Sequence, residues 1–163
     1  MHTKAPIIRA IAQRDNAALA GIIRSVLTEF GAAREGTVFY DPTTDDLYSL
    51  FGTPSSSYVV AEQDGIVNGG CGIFPTSGLP HGYCELVKLY LLPEARGYGT
   101  GKELINQCIN TAKETGYTHM YLETMPELNM AVGLYESCGF RYLPAPMGAS
   151  GHYGCNIWML KDL

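Results

Sequence analysis

Apolar residues at Leu19, Ile22, Ile23, Val26, Leu27 and Phe30 recur with the 3.6-residue period of a helix that buries one face. Asp15 or Asn16 is its predicted cap and Gly31 its stop. A second stripe, Leu104, Ile105, Cys108, Ile109 and Ala112, predicts a helix over about 99–115, ended by Gly116. A third is predicted from Pro126, a residue suited to a first helical position, through Cys138, with Gly139 as its stop. A short helix is expected from 44 or 45 to 51, after a loop over 32–44. Shorter apolar runs predict strands at 6–12, 57–62, 66–74, 83–92, 117–123, 140–143 and 155–160. Asp64-Gly65 joins the second and third of these as a tight hairpin, since that turn needs positive φ. Gly69, Gly70 and Gly72 predict a bulge or a close backbone approach in the third strand. The run YCELVKLYLL, 83–92, is apolar on both faces and is therefore the predicted central strand. The order β-α-α-β-β-β-α-β-α-β-β describes an α/β (α+β) fold, a mixed sheet flanked by helices, as a single domain over 1–163.

Charge narrows the functions open to this fold. The 11 Lys and Arg against 16 Asp and Glu give a net charge of -5, which excludes a general affinity for nucleic acid or an anionic membrane. No signal-peptide core or membrane span can be drawn. The five cysteines show no C-x-x-C pair or zinc spacing and suit reduced, buried thiols. The expected location is cytoplasmic. The chain holds 19 glycines in 163 residues, well above the average usage of about 7%.

Three of those glycines stand in Arg96-Gly97-Tyr98-Gly99-Thr100-Gly101-Lys102, between the central strand and an amphipathic helix. Glycines there let main-chain N–H groups approach an anion, and the helix N-terminus adds a favourable dipole. Two familiar cradles fail. The dinucleotide fingerprint needs Gly or Ala at the sixth position, where Lys102 or Leu104 falls; the P-loop needs Ser or Thr after Gly101-Lys102, where Glu103 stands.

The run R-G-Y-G-T-G matches the R/Q-x-x-G-x-G/A pyrophosphate motif of the GCN5-related N-acetyltransferase (GNAT) superfamily. Ala131, Leu134, Tyr135, Gly139 and Phe140 give that family's second signature, A-x-x-L-Y-x-x-x-G-F. The chain thus resembles this family over about 83–142 by motif, and elsewhere by element order. The resemblance implies a mostly antiparallel sheet whose central strand splays from the strand at 117–123, and transfer of an acetyl group from acetyl-CoA to an amine. It places the pyrophosphate on Gly97, Tyr98, Gly99, Thr100, Gly101 and Lys102, with Arg96 and Lys102 as candidate charges. It places the pantetheine arm along Leu89, Tyr90 and Leu91. The family's usual Asn falls at Leu128 here, with Asn129 beside it as the candidate replacement. Tyr135 stands where the family commonly has a tyrosine near the sulfur, a general acid for the leaving thiolate; packing in the helix stripe is the alternative.

An alkyl ammonium has pKa near 10, so the acceptor must lose a proton before it attacks. Glu85 is the candidate base, directly or through water. It is an acid inside an apolar strand, where burial raises a carboxyl pKa; an ion pair to a neighbouring strand or loop Arg is the alternative. Lys88, three residues on, is expected on the opposite face. His81, His152 and Glu123 are further candidates. Residues 1–70 hold 8 acids and 5 bases; with Glu29, Glu35, Asp41, Asp45 and Asp46 near the expected pocket, an acidic rim would favour a cationic small-molecule amine or a peptide N-terminus. The expected assembly is a monomer or homodimer, and a non-catalytic acyl-CoA sensor of the same fold is the other reading.

Overall fold

The computed structural model describes residues 4–163. Seven strands form one sheet: β1 Ile7–Ala10, β2 Ser57–Gln63, β3 Ile66–Phe74, β4 Tyr83–Leu91, β5 His119–Thr124, β6 Arg141–Leu143 and β7 Ile157–Asp162, in the spatial order β1-β2-β3-β4-β5-β7-β6. Every pairing is antiparallel except β4 with β5. The helices are α1 Asn16–Glu29, α2 Leu47–Leu50, α3 Thr100–Thr115 and α4 Asn129–Ser137. Among the described residues no helix is long and apolar enough to cross a membrane.

The sheet carries a core on each face. On one, the predicted stripe of α1 packs with Tyr58, Val60, Val87 and Tyr90. On the other, the stripe of α3 packs with Val59, Cys71, Ile73, Leu86, Met120 and Leu122, and Tyr135 and Phe140 close its end. The predicted element order is the observed one. Asp15 departs in detail: its carboxylate does not cap α1 but accepts from Ala12 N at 2.7 Å and pairs with Arg9. The third predicted helix starts later. Pro126–Leu128 is a separate 3-10 turn, because Leu128 (φ -91°, ψ 46°) leaves the helical path before α4 begins.

β4 is central, as its apolar run predicts. It pairs with β5 only from Tyr83↔His119 to Glu85↔Tyr121, and beyond Glu85 the two strands part. On its other side β4 slips register against β3 between Gly70↔Tyr90 and Gly72↔Val87, with Lys88 at φ 54°. Close approaches explain the glycine cluster of β3: a Cβ on Gly69 would fall 2.4 Å from the Tyr90 carbonyl oxygen. The ring of Tyr58 lies across Gly70 and Gly72, and a Cβ on either would fall 2.4 or 2.6 Å from a ring carbon. Over that gap the Tyr58 hydroxyl donates to the Lys88 carbonyl at 2.9 Å, satisfying a main-chain acceptor that the bulge has taken out of the ladder.

Candidate active site

A cavity of about 430 Å³ runs from the N-terminus of α3, through the gap between β4 and β5, to the side of the sheet that carries α1. At its outer end Gly97 and Gly99 are left-handed (φ 83° and 81°), and among the described residues no atom beyond the adjoining chain lies within 4 Å of where a Cβ would stand on either. That space is open to a ligand, and the first-turn N–H groups of α3 have no partner within the helix. The loop therefore fits an anionic diphosphate. Gly101 serves otherwise: a Cβ there would press on Leu134 at 2.9 Å, so this glycine lets α4 close on α3. Arg96 lines the cavity, but its guanidinium is already spent. It forks onto Glu29 at 2.7 and 2.9 Å, donates to the Leu91 carbonyl, and sits 5.0 Å over the Phe30 ring. Lys102 lines the same end; the side chain of Tyr98 is exposed. Leu89, Tyr90 and Leu91 all reach the wall. Leu128 reaches it too, whereas Asn129 is exposed at the start of α4 and is not among the lining residues. Gly133 has nothing within 4 Å of a Cβ, so no neighbouring strand approaches it.

Tyr135 is 8% exposed, meets Phe140 edge-on at 5.9 Å, and lines the cavity. Burial pushes its phenol well above the ordinary tyrosine range, so it holds its proton as a donor.

At the inner end the bulge overturns the expectation for Lys88. Strand alternation alone would set it opposite Glu85. With one extra residue in β4, Leu86 and Leu89 pack on the α3 side while Val87 and Tyr90 both pack on the α1 side. Lys88 then joins Glu85 on the α1 side and reaches Asp41, Nζ to Oδ2 at 3.4 Å. His152 Nε2 lies 3.3 Å from the same oxygen. The His152 hydrogen bond and the Lys88 charge outweigh burial and hold the Asp41 carboxyl well below the usual range. Burial lowers the Lys88 ammonium, and Asp41 and Glu85 oppose that shift.

Glu85 is 3% exposed. It accepts from Thr76 Oγ1 at 3.1 Å, and among the described residues it forms no ion pair. The ion-pair alternative for this residue thus falls away. Burial and the neighbouring Glu123 charge raise its pKa to about 7, against the opposing pull of His152, Thr76 and Lys88. Glu123, two residues beyond Tyr121 on β5, accepts from Tyr121 at 2.8 Å and from Ser150. Ser150 and His152 both belong to the β6–β7 loop, which is tied down by Met147 N donating to Tyr121 Oη at 3.0 Å and by Gly154 N donating to Gly36 O at 2.8 Å. His81 is exposed and lines a separate recess with Thr76 and Tyr117, so it takes no part here. Lys88, Thr76, Tyr121 and Ser150 were not identifiable as site residues by motif. Lys88 alone left a signal, a charge inside the most apolar strand.

A family model described as "Acetyltransferase (GNAT) family" matches residues 20–140. The chain belongs to that family. An uncharacterized N-acetyltransferase of Escherichia coli (strain K12), YjgM, is 39% identical over 161 residues, 98% of this chain and 96% of its own length. Among solved structures, a GNAT-family acetyltransferase of Staphylococcus aureus Mu50 matches with a TM-score of 0.86 at 20% identity, over 97% of this chain and 99% of that one. The PaiA N-acetyltransferase of Thermoplasma acidophilum, solved in complex with coenzyme A, matches at 0.77 and 18% identity over 98% and 100%. These distant structures share the overall fold of this chain.

Proposed function

We propose that this single GNAT domain is an acetyl-CoA-dependent N-acetyltransferase that acylates the primary amine of a small molecule or a peptide N-terminus by direct transfer in a ternary complex. The observation that carries the reading is Glu85: a buried carboxyl with no cation partner among the described residues and a pKa raised to about 7, on the strand whose far end leads to the glycine cradle. Acetyl-CoA supplies a thioester carbonyl, whose C–S bond breaks as the amine nitrogen bonds to carbon.

The residues divide that work. The main-chain N–H groups from Gly97 to Lys102 receive the diphosphate, where fixed dipoles rather than a basic surface suit an acidic protein. Leu89 to Leu91 offer main chain along the gap to the pantetheine arm. Glu85, directly or through one water, takes the proton that the ammonium must lose; a base poised near neutral pH suits that step. Tyr135, kept protonated by burial, donates to the departing thiolate. Glu123 keeps the Glu85 pKa up and adds a second carboxylate for the incoming cation. The acidic rim contributes less than composition implied, since Asp45 is bound to Arg24, Asp46 to Asn16 and Glu29 to Arg96.

Calorimetric titration with acetyl-CoA, followed by a thiol-release assay over a panel of amines, tests the reading. Binding and turnover of some amine are expected. Binding with no turnover of any amine would instead make the chain an acyl-CoA sensor, and no binding would remove the cradle as well.

A further inference from the structure

Lys88 is a buried ammonium with work left undone. Its side chain is 4% exposed, yet it lines the cavity. An ammonium has three N–H donors, and among the described residues its one hydrogen-bond acceptor is Asp41 Oδ2, at a long 3.4 Å. That single oxygen also serves His152, while Asp41 Oδ1 is taken by Thr43 N and Oγ1. Two basic side chains therefore share one carboxylate oxygen at the cavity wall. Beside them on the same side of the sheet, Glu85 and Glu123 show the reverse: two carboxyl groups that form no ion pair among the described residues. Burying a charge with donors unmet is costly unless a partner arrives. A bare amine would satisfy the carboxylates and leave Lys88 as it is. A molecule carrying both charges would satisfy both sets.

Resting on the transferase reading above, we propose that the acceptor is a free amino acid, its ammonium received by Glu85 and Glu123 and its carboxylate by Lys88 with His152. Asp41 holds the two basic side chains in place, and the bulge in β4 is the device that turns Lys88 to the side of Glu85. Lys88 and His152 are then specificity-determining residues, in addition to the pull they exert on the Glu85 carboxyl.

The test is a rate comparison on the full chain with saturating acetyl-CoA. Alanine, serine, leucine and phenylalanine are each assayed beside their carboxamides and their decarboxylated amines. The free acids are expected to show kcat/KM at least about tenfold higher, the discrimination of a site whose donors go unpaired without the carboxylate. Lys88→Met is expected to remove that preference, lowering kcat/KM for the acids at least about tenfold more than for the amides. The ratio is read within one variant, so partial loss of folded protein cancels. His152→Gln, on a surface loop, is expected to reduce the ratio less, in the same direction. Equal rates on acids and amides, or equal losses on both in Lys88→Met, would overturn the proposal while leaving amine acetylation standing. Binding of acetyl-CoA with no transfer to any member would overturn the transferase reading, and the proposal with it.

Discussion

The anion end of the cavity is made from one stretch of main chain, Gly97 to Lys102, whereas the acid–base end is made from side chains on separate segments: Asp41, Glu85 and Lys88, Glu123, and Ser150 with His152. The first needs only permitted backbone angles and a helix start, both of which are local. The second needs the sheet to be assembled, a bulge to turn Lys88, and two loops to meet at Gly36 and Gly154. Affinity for a cosubstrate and reactivity toward an acceptor should therefore separate on mutation.

Glu85→Gln is the sharpest way to part them. Loss of the base is expected to lower kcat/KM for the amine by about 10²–10³, with acetyl-CoA affinity by calorimetry unchanged; an equal loss of affinity would show the two ends to be one unit. In the wild type, kcat/KM is expected to rise with pH through about 7 as Glu85 ionises. Glu123→Gln should move that limb to lower pH by removing the like charge. The same shift has a stability cost. The folded carboxyl keeps its proton up to about 7 while the ordinary value is 4.5, so the folded chain binds more protons between those pH values and stability falls as pH rises through them. The full penalty, on the order of 3 kcal/mol, is present above about pH 7. Glu85→Gln should consequently melt above wild type at pH 8 and close to it at pH 4, a pattern that a glutamate ionising at its ordinary value would not give.

Tyr135→Phe removes a proton donor and little packing, and is expected to lower kcat by about tenfold. An unchanged kcat would return Tyr135 to the core it shares with Phe140. Gly99→Val attacks the other end. A β-branched residue at φ 81° costs about 1–2 kcal/mol, and its side chain would occupy the open space proposed for the diphosphate. Acetyl-CoA affinity is expected to weaken about tenfold, with kcat at saturation held within about twofold. Unaltered affinity would remove the cradle from this loop.

The contrast also explains what could be read in the chain. The helix stripes, the Asp64-Gly65 hairpin and the central 83–92 run are local patterns, and they correspond to elements of the fold. So does the glycine loop, whose physics is contained in seven consecutive residues. Lys88 was misplaced because period-2 alternation holds only for an unbroken ladder, and the bulge depends on strands 58 and 70–72 as well as on β4. Ser150, Tyr121 and Thr76 carry no motif. Their roles come from hydrogen bonds that span from 2 to 27 residues of sequence, and nothing short of the folded sheet brings them to Glu123 and Glu85. The rim acids illustrate the same limit in reverse: visible in composition, Asp45 and Glu29 are paired with Arg24 and Arg96 once the chain is folded, and Asp46 is hydrogen-bonded to Asn16.

The bulge itself gives the mildest test. Tyr58 reaches the Lys88 carbonyl across Gly70 and Gly72, so Tyr58→Phe would leave a buried acceptor unpaired without opening a cavity. The cost is about 1–3 kcal/mol, a fall of a few degrees in Tm for a domain of this size. If the hydroxyl also fixes the bulge, the acceptor end should suffer and the anion end should not. KM for the amine is then expected to rise by about twofold to fivefold as Lys88 and Glu85 lose their common alignment, an effect smaller than that of any change at the reacting groups. Acetyl-CoA affinity should stay at the wild-type value, since Gly97 and Gly99 lie beyond the end of β4 and make no contact with Tyr58. A drop in Tm with both KM values unchanged would make the Tyr58 bond a matter of stability alone, and the bulge a shape that β4 adopts without help.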